Sequence, residues 1–453
     1  MNPDIPALLN ALSSFDADVR RRALSALLDA EATAPAETWR VNMHMHTFFS
    51  YNGEGWSPTR LAWESRREGL YAAGICDFDV LAGLREFLDA AEALRLRAAV
   101  GFETRTFFRE YGNQEINSPG EPGVFYFMGV GFRREPDPGS CAHGVLTRML
   151  HQSHQRNRDL IARINDRLAG LGLDYDSEVL PLTPAGNATE RHIVTAYFDK
   201  ALAKAGGDPV RAAAFWARGL GTSADDLAAK AHDVNGFLDL LRSKLMKKGG
   251  VGYTQPTEGT FPALDDVIAM ILDCGALPTS TWLDGTSAGE ADPGAQLECL
   301  ISKGVAATNI IPDRNWNLKD PAQRERKVRE LHRYAKMAGD LGLPVLVGTE
   351  MNKPGQRFVD DFEAPPMKPL ARQFIEGAQV VVGHQRFFRY ADFPYVGREA
   401  CHEYASRARR NQVFAAVGAL PAPSPQIRGG LEAMPPPKAF SYLHDCARRG
   451  EWI

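Results

Sequence analysis

Two histidines one residue apart, His44 and His46, end a short run, RVNMHMH, that reads as a β-strand. In an extended chain the side chains at i and i+2 share a face, so the two imidazoles stand side by side and can grip one cation. An isolated HxH is weak evidence for a metal. Three other apolar runs end in acids: ICDFD with Asp77 and Asp79, VGFE with Glu103, and VLVGTE with Glu350. One carboxylate at a strand end is more often a helix cap or a solvated turn. Four strand ends that all carry metal-ligand types predict a metal site.

The elements that must bring these side chains together are short strands separated by helices. From Trp39 the runs RVNMHMH, SPTRLAWESRREG, LYAAGICDFDV, LREFLDAAEALR and AAVGFETRTFF alternate strand and helix, the texture of parallel α/β structure. Ser57 and Pro58 are a helix start, with Ser at the N-cap and Pro at the first helical position. A loop, YGNQEINSPGEPG, precedes the strand VFYFMGVGF. Residues 135–260 read as a mainly helical insertion, and alternation resumes at Phe261. There VAATNIIP, PVLVGTE and AQVVVGH read as strands, with a long helix over 320–342 and another near 398–412. Residues 1–38 carry two short helical patterns, and 415–453 form a Pro- and Gly-rich wrapped extension. The fold expected is α/β: a distorted barrel of about seven strands built from 39–134 and 261–414, with ligands at the strand ends.

Several of these segments together resemble the PHP (polymerase and histidinol phosphatase) superfamily of metal-dependent phosphoesterases. HMHTFFSYNGEGWSPTRLAWESRREGL is similar to its opening HxHT, SDG and helix pattern, YAAGICDFDVLAGLREF to its TDHD-containing strand, and VGFE to its GxE element. The insertion resembles that of the branch acting on small nucleotides, with Glu190, Arg191 and His192 at its GRPH element; VGTEMN is similar to GSDxH. The likeness spans about residues 40–352. It implies a (β/α)7 barrel and a phosphoesterase with up to three metals. Here the ligand pattern is reduced. Asn52, Phe78 and Asn352 stand where the family has Asp, His and His, and Phe127 stands near another histidine. What survives, by resemblance, is the set of one metal: His44, His46, Glu103 and Glu350. Two imidazoles and two carboxylates suit Zn²⁺, Mn²⁺ or Fe²⁺. One divalent ion per chain is therefore expected, with Asp77 and His192 as proton carriers. Side-chain cations would replace the lost metals at phosphate, and Arg191, Arg314 and Lys353, together with Asn352, are placed to bind substrate.

Composition limits the remaining choices. The 453 residues are 44% hydrophobic and 24% charged, enough apolar surface for a folded chain. Lys plus Arg number 52 against 56 Asp plus Glu, a net charge of −4, so long nucleic acids are disfavoured partners and a small molecule is the expected substrate. The opening residues lack the pattern of a signal peptide, and no stretch of about 18 uncharged apolar residues exists. A cytoplasmic protein with six reduced cysteines and no membrane partner is the expectation. His384, after VVVG, reads as a strand end that enters the site. A metal-dependent lyase, isomerase or non-phosphate hydrolase on a carbonyl or sugar, or a non-catalytic metal-binding relative, are the alternative functions. Oligomeric state is open.

Overall fold

The computed structural model describes residues 4–30, 35–168, 170–221, 223, 227 and 233–453. Seven strands form one sheet in sequential order: β1 (Val41–Met45), β2 (Ala72–Phe78), β3 (Arg97–Phe107), β4 (Val124–Val130), β5 (Leu277–Trp282), β6 (Ala307–Ile310) and β7 (Val345–Val347). Beyond β7 the sheet closes on β1. Glu350 N donates to the His44 carbonyl at 2.8 Å, and His46 N donates to the Glu350 carbonyl at 2.7 Å. The result is a distorted α/β barrel whose closing hydrogen bonds use the backbone of the residues singled out for metal binding.

The alternation of strand and helix is reproduced, with one exception. β4 runs antiparallel to both β3 and β5, whereas the other neighbouring pairs are parallel. Between β3 and β4 the only helical element is the three-residue turn Arg109–Tyr111, so no crossover helix carries the chain back and β4 returns as in a hairpin. The helix Pro58–Arg67 starts as the sequence indicates, Ser57 Oγ accepting from Arg60 N at 3.0 Å. Between β4 and β5 lie the helices Cys141–Arg167, Glu190–Lys204, Pro209–Leu220 and Val234–Met246. They bury their own cluster, with Ile164, Tyr197, Trp216 and Leu241 at its centre. No helix among the described residues is long and apolar enough to cross a membrane.

The expected strand AQVVVGH is instead the middle of the helix Ala371–Ala391. Val380, Val381 and Val382 are all buried, the polar face made by Arg372, Gln373, Glu376 and Gln379 lies before them, and a short apolar run of this kind does not separate strand from buried helix. His384 is thereby removed from the site. Its Nε2 donates to the Gly131 carbonyl at 2.8 Å, and its Nδ1 accepts from Tyr395 N at 3.1 Å. The extension is also more helical than expected, with Pro425–Glu432 and Pro436–Arg449 as helices.

Burial holds the His384 imidazole down at about 4, against the pull of the Gly131 carbonyl. The unfolded imidazole takes a proton below about 6.5 and the folded one does not, so its contribution is complete above that pH and lost as pH falls toward 4. Urea unfolding at pH 7 and pH 5 should show the wild type losing about 2 kcal/mol more than His384→Gln over that interval. Equal losses in the two proteins would refute the assignment.

Candidate metal centre and its cavity

Strand parity gathers the site. The cross-strand pairs Phe78/Glu103, Arg105/Tyr126 and Thr281/Asn309 each put two side chains on one face, and all six line a single cavity at the barrel mouth. His44 joins them from β1. Its Nε2 lies 3.4 Å from His46 Nε2, and Glu103 Oε2 lies 3.7 Å from the first and 3.2 Å from the second. Two donors bound to one ion at about 2.0–2.2 Å and at tetrahedral angles are about 3.3–3.6 Å apart. The three edges, 3.4, 3.7 and 3.2 Å, bracket that range to within about 0.1 Å.

The outer ring nitrogens explain why these atoms face inward. His44 Nδ1 donates to Asn309 Oδ1 at 2.9 Å. His46 Nδ1 donates to Ser50 Oγ at 3.2 Å, and Ser50 Oγ donates onward to Asp77 Oδ1 at 2.7 Å. With both Nδ1 atoms occupied as donors, both Nε2 lone pairs are free for a cation, the usual outer support of metal-ligating histidines. Burial pushes the Glu103 carboxyl up, but His44 and His46 outweigh it and hold the group well below the usual carboxylate range. That hold is exerted through protons on the two Nε2 atoms, and a divalent ion would take the place of those protons between the same three donors.

The structure brings together three of the four expected ligands. Glu350 is the exception: its Oε2 accepts from Arg314 Nη2 at 2.5 Å and from Asn352 Nδ2 at 3.2 Å, and neither imidazole is ion-paired with it among the described residues. Glu350 and Met351 both have positive φ, 64° and 57°, a costly backbone for side chains of this kind and one that turns the chain at the site. Asp77 is buried away from the cavity. Its oxygens accept from Thr47 N, Thr47 Oγ1 and Ser50 Oγ, each at 2.7 Å, which makes it a support for His46 and not a free proton carrier. Phe78 stacks on the His46 ring, 4.9 Å between centroids and 11° between planes.

His192 sits at the third position of the helix Glu190–Lys204, where its Nδ1 accepts from Thr189 N at 3.1 Å and closes a capping box. Burial holds its ring down at about 4, so it is neutral at pH 7, and it is not among the cavity-lining residues. Arg191 does line the cavity, and so do Arg314, Asn352 and Lys353. Arg191 and Lys353 share Asp239, at 2.5 and 2.8 Å.

The cavity holds about 940 Å³ and is lined by nine Lys and Arg side chains against six Asp and Glu. Several of the nine went unnoticed in the sequence. Arg105 follows Glu103 by two residues on β3 and so faces the same way, a signal that parity alone supplies. Arg242 and Lys247 come from the inserted helices and converge on Glu190, at 2.8 and 2.7 Å. Burial would raise Glu190, but Lys247, Arg242 and Arg105 keep it ionised. Asn309 Nδ2 is buried and has no acceptor among the described residues. It is a spare donor next to His44.

No family model and no curated protein matches the chain. Among solved structures it is similar to an amidohydrolase from Chromobacterium violaceum with bound sulfate and no metal, at 15% identity and a TM-score of 0.48, over 75% of this chain and 96% of that one. A second similar structure, at 20% identity and a TM-score of 0.43, covers 75% of this chain and 98% of a Bifidobacterium adolescentis protein named as a metal-dependent phosphoesterase.

Proposed function

We propose that this chain is a metal-dependent hydrolase of a small phosphorylated substrate, working through one divalent ion held by His44, His46 and Glu103. The observation that carries the reading is the triangle of Nε2, Nε2 and Oε2 opening into a cavity with a cationic excess. When bound, the ion supplies Lewis-acid polarisation of an ester oxygen. Everything else falls to side chains. Arg314, which lines the same cavity and is ion-paired with Glu350, is the cation that would meet a phosphoryl oxygen. Asn309 Nδ2 offers a second donor on the same wall. Asp77 acts through Ser50 to orient His46, and His192 fixes the turn that presents Arg191.

A single Lewis acid also serves carbonyl and sugar chemistry, and the nine cations are what favour an anionic ester over those. The test is a substrate screen on protein stripped and reloaded separately with Zn²⁺, Mn²⁺ and Fe²⁺. Release of inorganic phosphate from small phosphate esters by a reloaded form supports the proposal. Turnover of a carbonyl or sugar substrate with no phosphate release under any metal overturns it.

A further inference from the structure

The residue before Asp77 was not expected to do chemistry. Asp77 turns its carboxylate to Thr47 and Ser50, so the flanking Cys76 and Phe78 project to the opposite face of β2, into the barrel. Phe78 reaches the cavity and stacks on His46. Cys76 lies one step deeper, fully buried, as an unpaired thiol. Its sulfur and one ring nitrogen from each of His44 and His46 all lie within 4.8 Å of one another.

Two further observations point the same way. The imidazoles are themselves buried and have both Nδ1 atoms engaged, so their Nε2 lone pairs converge from the cavity side with only Glu103 to complete the set. Glu350, the other candidate, is committed to Arg314 and Asn352. A three-atom triangle covers one side of an ion, and the floor of the site is where a fourth donor is needed.

We propose that Cys76 is that donor, binding as a thiolate from beneath the two histidines and making the site selective for thiophilic ions. This rests on the metal reading given above. The thiol proton is released to solvent as the metal–sulfur bond forms, with no change of oxidation state. Binding would draw the sulfur in from its place within 4.8 Å of the imidazole nitrogens to the ordinary bond length of about 2.3 Å. The cavity side stays open to a substrate oxygen, which an ion that expands to five-coordinate accommodates. A set of two imidazoles, one carboxylate and one thiolate suits Zn²⁺, Co²⁺ or Fe²⁺ and works against Mn²⁺ and Mg²⁺, which prefer oxygen.

The probe is Co²⁺ alone, added to the stripped full-length protein. Wild type is expected to develop thiolate-to-cobalt charge-transfer absorption in the near ultraviolet, together with the visible bands of a low-symmetry site. Cys76→Ser should lose the near-ultraviolet band while keeping visible bands from the remaining donors, and should lose more affinity for Zn²⁺ than for Mn²⁺. Visible bands without the charge-transfer band in wild type overturn the Cys76 assignment and leave the three-ligand site standing. Absence of any Co²⁺ spectrum in wild type overturns both. The wild-type spectrum decides even where the variant fails to fold.

Discussion

Replacing His46 by alanine is expected to remove bound metal and activity together. His46 Nε2 is the nearest imidazole nitrogen to Glu103 Oε2, at 3.2 Å, and lies 3.4 Å from His44 Nε2, so it is the corner that joins the other two. Without it the remaining donors cannot surround an ion, and Glu103 loses one of the two imidazoles that keep it ionised. Metal affinity should fall by more than about 100-fold, since changing even an outer partner of a ligand lowers it by about 10- to 100-fold. Activity should fall beyond the about 10²- to 10³-fold that follows loss of one transition-state donor. Ser50→Ala, which removes only the support of His46 Nδ1, should stay within the smaller range. Metal content after gel filtration and kcat/KM on the same samples check the pair. An H46A protein that keeps its metal would contradict the assignment.

The second large effect is expected at Arg314. The aromatic ring of Phe78, stacked on His46, excludes water and cannot be converted into a cation site. If the substrate is a phosphate ester, a guanidinium must supply the missing positive charge. Arg314 is placed to do so, on the turn Asp313–Trp316 after β6 and facing the cavity. Arg314→Ala should lower kcat/KM by about 10²-fold or more while leaving metal content unchanged. Arg191→Ala should do less, because Lys353 shares Asp239 with it and stays behind as a second cation on the cavity wall. Should R314A retain full activity on phosphate esters, side-chain compensation is wrong.

How much of this was legible beforehand follows from periodicity. His44 and His46, and Glu103 after its apolar run, stand out because i, i+2 spacing and strand ends are local signals. Cys76 was equally local. Once Phe78 is taken to face the site, parity turns Cys76 the same way, but the neighbouring acid at Asp77 drew the eye to the wrong face. Glu350 and Arg314 were each singled out, yet their pairing was not, because 36 residues of chain separate them and charge alone does not say which partner wins. Arg242, Lys247 and Glu190 come together only because the inserted helices fold over the barrel mouth, which no local spacing encodes. The strand expected at AQVVVGH failed for the opposite reason. The run is buried except at Gln379, and the polar residues that mark the helix, Arg372, Gln373 and Glu376, fall before it.

The central claim is one metal ion at the triangle of His44, His46 and Glu103. The most direct measurement is elemental analysis of the purified protein combined with anomalous diffraction at that element's absorption edge. The expected result is about one ion per chain, as a single anomalous peak within about 2.0–2.3 Å of His44 Nε2, His46 Nε2 and a Glu103 oxygen. Close to three ions per chain, or a peak that excludes either histidine, would contradict it.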